Sequence, residues 1–160
     1  MTQAMGDAIE IRVPCKPEYV RTVRRTIADF AESIDMPRSD VEEVEIAASE
    51  AVANIVRHAY TGLNCKIPPV RVKCSHKEGR LTIEVIDRGC GFIAPPNGVV
   101  PEVDMNRDGG LGIILIKSLM DKVNYISKPS GGTRIRMTKG ARQAVKDSTR
   151  ARVARLTTGR

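Results

Sequence analysis

The sequence predicts an α+β fold, a two-layer sandwich with three helices on one face of a mixed, mostly antiparallel sheet. Three observations carry that expectation. Short segments alternate apolar and polar residues as strands do, longer ones repeat apolar residues at helical intervals, and the elements follow the order strand, two helices, two strands, a loop, one helix, two strands. At 160 residues the chain is long enough for one domain with a core, and too short for two comfortable ones. The expected division is an N-terminal tail over 1–8, a domain over 9–139 and a basic tail over 140–160.

Ile9-Glu10-Ile11-Arg12-Val13 alternates and is bounded by Pro14 and Pro17, which predicts a strand. From Pro17 the period changes: Tyr19, Val20, Val23, Ile27, Phe30, Ala31 and Ile34 define an amphipathic helix over 17 to about 35, ended by Met36-Pro37. Ser39-Asp40-Val41-Glu42 has the form of a capping box and predicts the start of a second helix, whose apolar side is Val41, Val44, Ala47, Ala48, Ala51, Val52, Ile55 and Ala59. Gly62 supplies its stop. Residues 70–74 and 81–86 alternate around the polar Lys77-Glu78-Gly79-Arg80, a hairpin turn. Residues 88–108 hold Gly89, Gly91, Pro95, Pro96, Gly98 and Pro101 without periodicity, which is long for a passive connection. Leu111 to Met120 predicts the third helix, and segments 123–126 and 133–137 close the domain as a hairpin.

The composition excludes several classes. No stretch approaches the roughly 18 apolar residues of a membrane span, and the first residues lack the basic and apolar regions of an export signal, so the expected compartment is the cytoplasm. Cys15, Cys65, Cys74 and Cys90 form no C-x-x-C pair, and with His58 and His76 they complete no zinc-ligand spacing; reduced thiols are expected. The formal charge of +7 is concentrated, with +6 over residues 139–160 and +1 over the remainder. A basic tail after the last strand reads as a solvated or partner-contacting extension, and with aromatics at 3% and no tryptophan, stacking platforms for nucleic acid are scarce.

Three groups of residues point to chemistry. Glu50, Asn54 and His58 stand at i, i+4 and i+8 on the second helix and form a polar line beside small residues, which leaves room for a ligand. Read alone, that line is also what a solvated stripe looks like. Asp87-Arg88-Gly89-Cys90-Gly91 follows a strand directly; it is either a tight turn or a carboxylate placed to receive a purine amino group, with glycines that let the base approach the backbone. Gly109-Gly110-Leu111-Gly112 opens the third helix, where unpaired N–H groups and the positive end of the helix dipole favour phosphate, although a bare glycine run also serves as a hinge. It is neither G-x-G-x-x-G nor a Walker A sequence.

In combination, Ser49-Glu50-Ala51-Val52-Ala53-Asn54, Asp87-x-Gly89-x-Gly91, Gly110-Leu111-Gly112 and Gly132-Thr133 resemble the four ATP-site boxes of the GHKL family (the Bergerat ATP-binding fold), which includes histidine kinases, heat-shock chaperone ATPases, gyrase B and MutL. Pro17-Glu18-Tyr19-Val20, His58-Ala59-Tyr60 and Leu119-Met120-Asp121 narrow the resemblance to its sigma-B-type, RsbW-like anti-sigma factor serine kinases, over residues 9 to 139. No phosphoacceptor-His helix is expected ahead of the Asn54 box, unlike in sensor kinases, and no transducer domain like those of gyrase or MutL.

The resemblance implies ATP and Mg²⁺ as cofactors, with Asn54 the protein ligand of the metal and Glu50 the catalytic base that accepts the serine proton. It implies Asp87 on the adenine amino group with Thr133 supporting it, Gly89 and Gly91 along the base, Gly110, Leu111 and Gly112 at the phosphates, and a mobile lid over 95–108. Its partners would be an anti-anti-sigma factor carrying the phosphoacceptor serine, an alternative RNA polymerase sigma factor and a second copy of the chain. The alternative is a regulatory protein that binds nucleotide and sequesters partners without phosphoryl transfer. His58 is expected to be a structural polar residue.

Overall fold

The computed structural model describes residues 6–58, 67–89, 110–127 and 131–140. Strand β1 (Ala8–Val13) leads through a 3-10 turn at Pro17–Tyr19 into α1 (Val20–Ser33), followed by α2 (Arg38–His58), β2 (Val70–Lys77), β3 (Arg80–Ile86), α3 (Gly110–Leu119), β4 (Lys122–Ser127) and β5 (Thr133–Gly140). The expected long loop beyond Gly89, including Gly91 and the lid over 95–108, lies outside the described residues. So do Cys65, Cys90, Ala59, Tyr60, Gly62, Gly109 and both tails apart from residues 6–8 and Gly140.

The strands pair in the order β1-β2-β3-β5-β4, and every pair is antiparallel. A parallel neighbour would arise if β4, reached from β3 across α3, lay beside β3. Because β5 folds back from β4 and takes that place, the described sheet is antiparallel throughout, a simpler case than the mixed one expected. The hairpin between β2 and β3 turns on Glu78 and Gly79 at φ 52 and 70. Two successive positive φ values give the turn the twist that flanking strands need.

Register sorts the side chains. Ile11, Val72, Val85 and Ile135 form one row across four strands, and Ile9, Cys74, Ile83 and Met137 form the next. Both rows face the helices and build the core together with Val23, Ile27 and Phe30 of α1, Val44, Ala48, Ala51, Val52 and Ile55 of α2, and Ile116 of α3. The opposite sheet face is polar: Glu10 carries ion pairs to Arg12, Arg71 and Lys73, and these cations, Arg71 foremost, push its carboxyl down to about 2. Burial pushes the Cys74 thiol up to about 12, which makes it an inert core residue.

Two helix ends show what local sequence does. At the end of α1 the Asp35 N–H donates to the Glu32 carbonyl and the Met36 N–H to the Ala31 carbonyl, with Asp35 at φ 56; this is the double bond pattern of a left-handed helix stop. The start of α2 differs from expectation. The helix begins at Arg38, the carbonyl of Pro37 accepts from the N–H groups of Asp40 and Val41, and Ser39 lies inside the first turn, so the capping box does not form. Glu42 instead accepts from Arg38, one turn before it.

One polar contact ties the two layers. Lys139 of β5 is 2% exposed, and its ammonium donates to the Glu43 carboxylate of α2 and, at 2.7 Å, to the Leu119 carbonyl at the end of α3. A cation at a helix C-terminus is favourable, and a buried one must be paired. Glu43 is half-buried and can regain water if its partner is lost, whereas Lys139 cannot. In urea unfolding, Glu43→Ala is therefore expected to cost about 2–4 kcal/mol, and Lys139→Met clearly less, about 1–2 kcal/mol.

Candidate nucleotide site

Lys139 marks one end of the sandwich, and chain direction defines the other. Since β5 ends beside Glu43 and Leu119, the start of β5, the latter half of α2 and the first turn of α3 all run toward the opposite end. Two clusters of predicted residues form there.

The first stands between α2 and α3. A Cβ added to Gly112 would lie 2.9 Å from a Glu50 carboxylate oxygen, and 3.3 and 3.4 Å from the amide nitrogen and oxygen of Asn54. The absence of a side chain at 112 thus lets the first turn of α3 rest directly on the two polar residues of α2. Glu50 is half-buried and lies 3.9 Å from the Arg57 guanidinium, two turns along the same stripe. The Asn54 amide oxygen is buried with no hydrogen-bond partner among the described residues. A buried acceptor without a donor is costly unless something else satisfies it, and a hard divalent cation suits an amide oxygen. Gly110, Leu111 and Gly112 are the first three residues of α3, so their N–H groups are among those a helix cannot pair internally. His58 closes the stripe as an exposed residue.

The second cluster stands where β3 meets β5. Asp87, just past β3, is buried; its carboxylate accepts from the Gly89 N–H at 2.7 Å and the Thr133 N–H at 3.2 Å, and its own N–H donates to the Thr133 carbonyl at 3.0 Å. Burial raises this carboxyl above its ordinary 3.8, an effect that the Gly89 and Thr133 N–H groups partly offset. Each oxygen has spent one lone pair and retains another, so the group can still accept from a ligand amino group. Gly131 and Gly132 both have φ 90, and a Cβ on Gly132 would lie 2.4 Å from the Asp87 carbonyl oxygen, with the Gly89 carbonyl 3.1 Å from one on Gly131. The paired glycines let the start of β5 close on the Asp87 turn.

The structure thus brings Glu50, Asn54 and Gly112 together, and Asp87, Gly89 and Thr133 together, while Gly91 lies outside the described residues. Arg57 and Gly131 belong to no motif of the sequence, and Cys15 is marked there only as a reduced thiol. Arg57 was detectable, being seven residues from Glu50 on one helix face. Cys15 was not: only folding places its half-buried thiol near Asp87, whose negative charge, after burial, raises it.

A helix-borne carboxylate and amide under a glycine-opened helix, beside a buried aspartate turn, define the class: the chain belongs to the family of the histidine kinase-like ATPase domain, whose profile matches residues 13–139. Within that class it belongs with serine-protein kinase RsbW. It is 36% identical to the Bacillus pumilus RsbW over 140 residues, covering 83% of this chain and 85% of that one, and 35% identical to a Staphylococcus aureus RsbW over 144 residues, covering 86% and 89%. Among solved structures, the RsbU and RsbW domains of a Mycobacterium tuberculosis protein match with TM-score 0.62 and 22% identity over 84% of this chain and 32% of that one. The SiaB–SiaC complex of Pseudomonas aeruginosa matches with TM-score 0.60 and 14% identity over 81% and 88%. These two show the fold. Among the described residues, no helix is long and apolar enough to cross a membrane.

The two glycine contacts separate stability from binding. Gly132→Ala meets immovable backbone in a left-handed conformation and is expected to cost at least about 2 kcal/mol in thermal or urea unfolding, against about 1 kcal/mol for Gly79→Ala, where φ is 70 and nothing lies within 4 Å. Gly112→Ala meets only side-chain ends and gains helix propensity, so its stability should stay within about 1 kcal/mol of the native chain. Its ATP affinity should nevertheless fall by about tenfold or more in calorimetry, because Glu50 and Asn54 are pushed aside.

Proposed function

We propose that this chain is an ATP-dependent serine-protein kinase that phosphorylates an anti-anti-sigma factor and, in the same partner-switching cycle, binds and inhibits an alternative sigma factor. The observation that carries the proposal is the contact of Gly112 with Glu50 and Asn54, which sets a carboxylate and an orphaned amide oxygen at a helix N-terminus. The RsbW kinships support it over most of both chains.

In this reading Asp87 accepts from the adenine amino group, Thr133 holds Asp87 in place, and Gly89 and Gly91 line the base. The N–H groups of Gly110, Leu111 and Gly112 bind phosphate oxygens, and Asn54 is the protein ligand of Mg²⁺. Bound Mg-ATP supplies the transferable phosphoryl group. Glu50 accepts the proton of the incoming serine as its oxygen forms a bond to the γ-phosphorus and the bond from phosphorus to the β,γ-bridging oxygen breaks, leaving ADP. Arg57, beside Glu50, keeps that carboxylate oriented before the acceptor arrives. The reaction asks mainly for positioning and charge neutralisation, which this set of groups provides. A cytoplasmic setting and a homodimer accompany this reading.

Incubation with Mg-ATP and the purified anti-anti-sigma factor, followed by mass spectrometry for phosphoserine, tests the activity; no phosphoserine would leave a nucleotide-dependent binding protein. Glu50→Ala is expected to retain nucleotide and to slow transfer by about a hundredfold or more, the scale of a general base. Asp87→Asn should abolish ATP binding, since an amide keeps one acceptor oxygen and its NH2 presents donors where Gly89, Thr133 and the adenine amino group all need an acceptor. The sign of the pH effect follows from burial. Because the Asp87 carboxyl is raised, it protonates at a higher pH than an ordinary aspartate, so ATP affinity should fall on acidification from a point above 3.8. An affinity flat down to that value would remove Asp87 from the base site.

A further inference from the structure

Helix α3 is apolar around its whole circumference, with Lys117 and Ser118 as its polar interruptions. Such a helix is normally buried on all sides. Here Ile116 faces the core, while Leu111, Ile114 and Leu115 are 63%, 41% and 37% exposed. Their spacing of i, i+3 and i+4 puts them on one face. A fourth exposed residue, Ile46 at 40%, stands on α2 one turn before Glu50. Helices α2 and α3 run antiparallel: Gly112 meets Glu50 and Asn54 at one end, and Lys139 joins Glu43 to Leu119 at the other. Ile46 therefore lies level with Leu115 across the seam. Of the six exposed large hydrophobic residues among those described, these four lie on α2 and α3, the two helices that carry Glu50 and Gly112. Contiguous apolar surface of this kind marks an interface.

We propose that this apolar seam is the docking surface for the phosphoacceptor protein, whose aliphatic side chains beside the acceptor serine pack on Ile46, Leu111, Ile114 and Leu115 while the hydroxyl reaches Glu50. This rests on the kinase reading given above. The seam is continuous with the point where the acceptor must arrive, because Leu111 adjoins Gly112, whose missing side chain would otherwise fill the space beside the Glu50 carboxylate. A partner that inserts a serine at Glu50 also covers the side chains next to it, and on the α3 side these are aliphatic. Arg57, on the same stripe as Glu50, adds the charged edge of a typical interface. A second copy seated here would instead close Glu50 to any serine.

The test uses Ile46→Ser/Leu115→Ser, two exposed positions that bind neither nucleotide nor metal in the kinase reading, with Ile126→Ser on the far sheet face as the control. The probe is the purified anti-anti-sigma factor, both native and with its acceptor serine changed to alanine. The double variant should keep its Mg-ATP affinity within about twofold and its kcat within about threefold, while KM for the native acceptor and Kd for the alanine form, measured with ADP, each rise by about tenfold or more. The control should change neither. Unchanged KM and Kd would overturn the proposal. So would a parallel loss of ATP affinity, which would make the seam part of the nucleotide pocket, or loss of self-association or sigma-factor binding alone, which would give it another occupant. If the native chain transfers no phosphate, the kinase reading fails, and the Kd measured with the alanine form alone decides whether the seam docks this partner.

Discussion

The architecture of the site depends on a contact made by an absent side chain. Two helices normally keep 8–10 Å between their axes because side chains separate them. At Gly112 only the α2 side chains stand between them, and a Cβ on that residue would crowd Glu50 and Asn54. The same helix is held at its other end by the Lys139 ammonium, which joins its terminal carbonyl to α2. One end is thus placed by close packing and the other by charge. A helix held at both ends presents its N–H groups in a fixed direction, which is what electrostatic catalysis in a low-dielectric pocket requires.

The Asp87 turn solves a different problem. A carboxylate must be buried to be selective, and burial opposes its ionisation. Two backbone N–H donors offset part of that cost, and they come from different segments: Gly89 follows Asp87 in the chain, whereas Thr133 belongs to the strand alongside. The group that would read the ligand is therefore also the group that fastens β3 to β5. Rigidity and recognition share one set of bonds, so neither can be altered alone.

Much of this was legible in the sequence. The three helices and five strands follow from apolar period, and each observed element overlaps its expected segment. Glu50 and Asn54 could be placed on one helix face because four-residue spacing survives folding unchanged. Helix starts were less legible: Ser39 and Glu42 have the chemistry of a cap, but Pro37 lies two residues earlier and its carbonyl takes the first N–H groups instead. The partnership of Lys139 with Glu43, and the nearness of Cys15 to Asp87, join residues far apart in sequence, and no local pattern records them. The exposed face of α3 was illegible for the opposite reason, since an apolar run states that a helix wants cover without stating which side receives it.

The pairing of β3 with β5 also sets how the fold can vary. Asp87 and Thr133 are 46 positions apart yet hydrogen-bonded to each other, so the stretch between them, which supplies α3 and the edge strand β4, returns to the point on β3 from which it departed. For a chain tied at both ends, extra length costs only in proportion to its logarithm, about 0.6 kcal/mol for each doubling of a flexible loop. Length added between β3 and β5 can therefore be absorbed in descendants of this fold while the two strands keep their register. A new insertion there would enter beside both clusters at once, so variation in partner or regulation can accumulate in that single stretch of chain without the core having to be rebuilt.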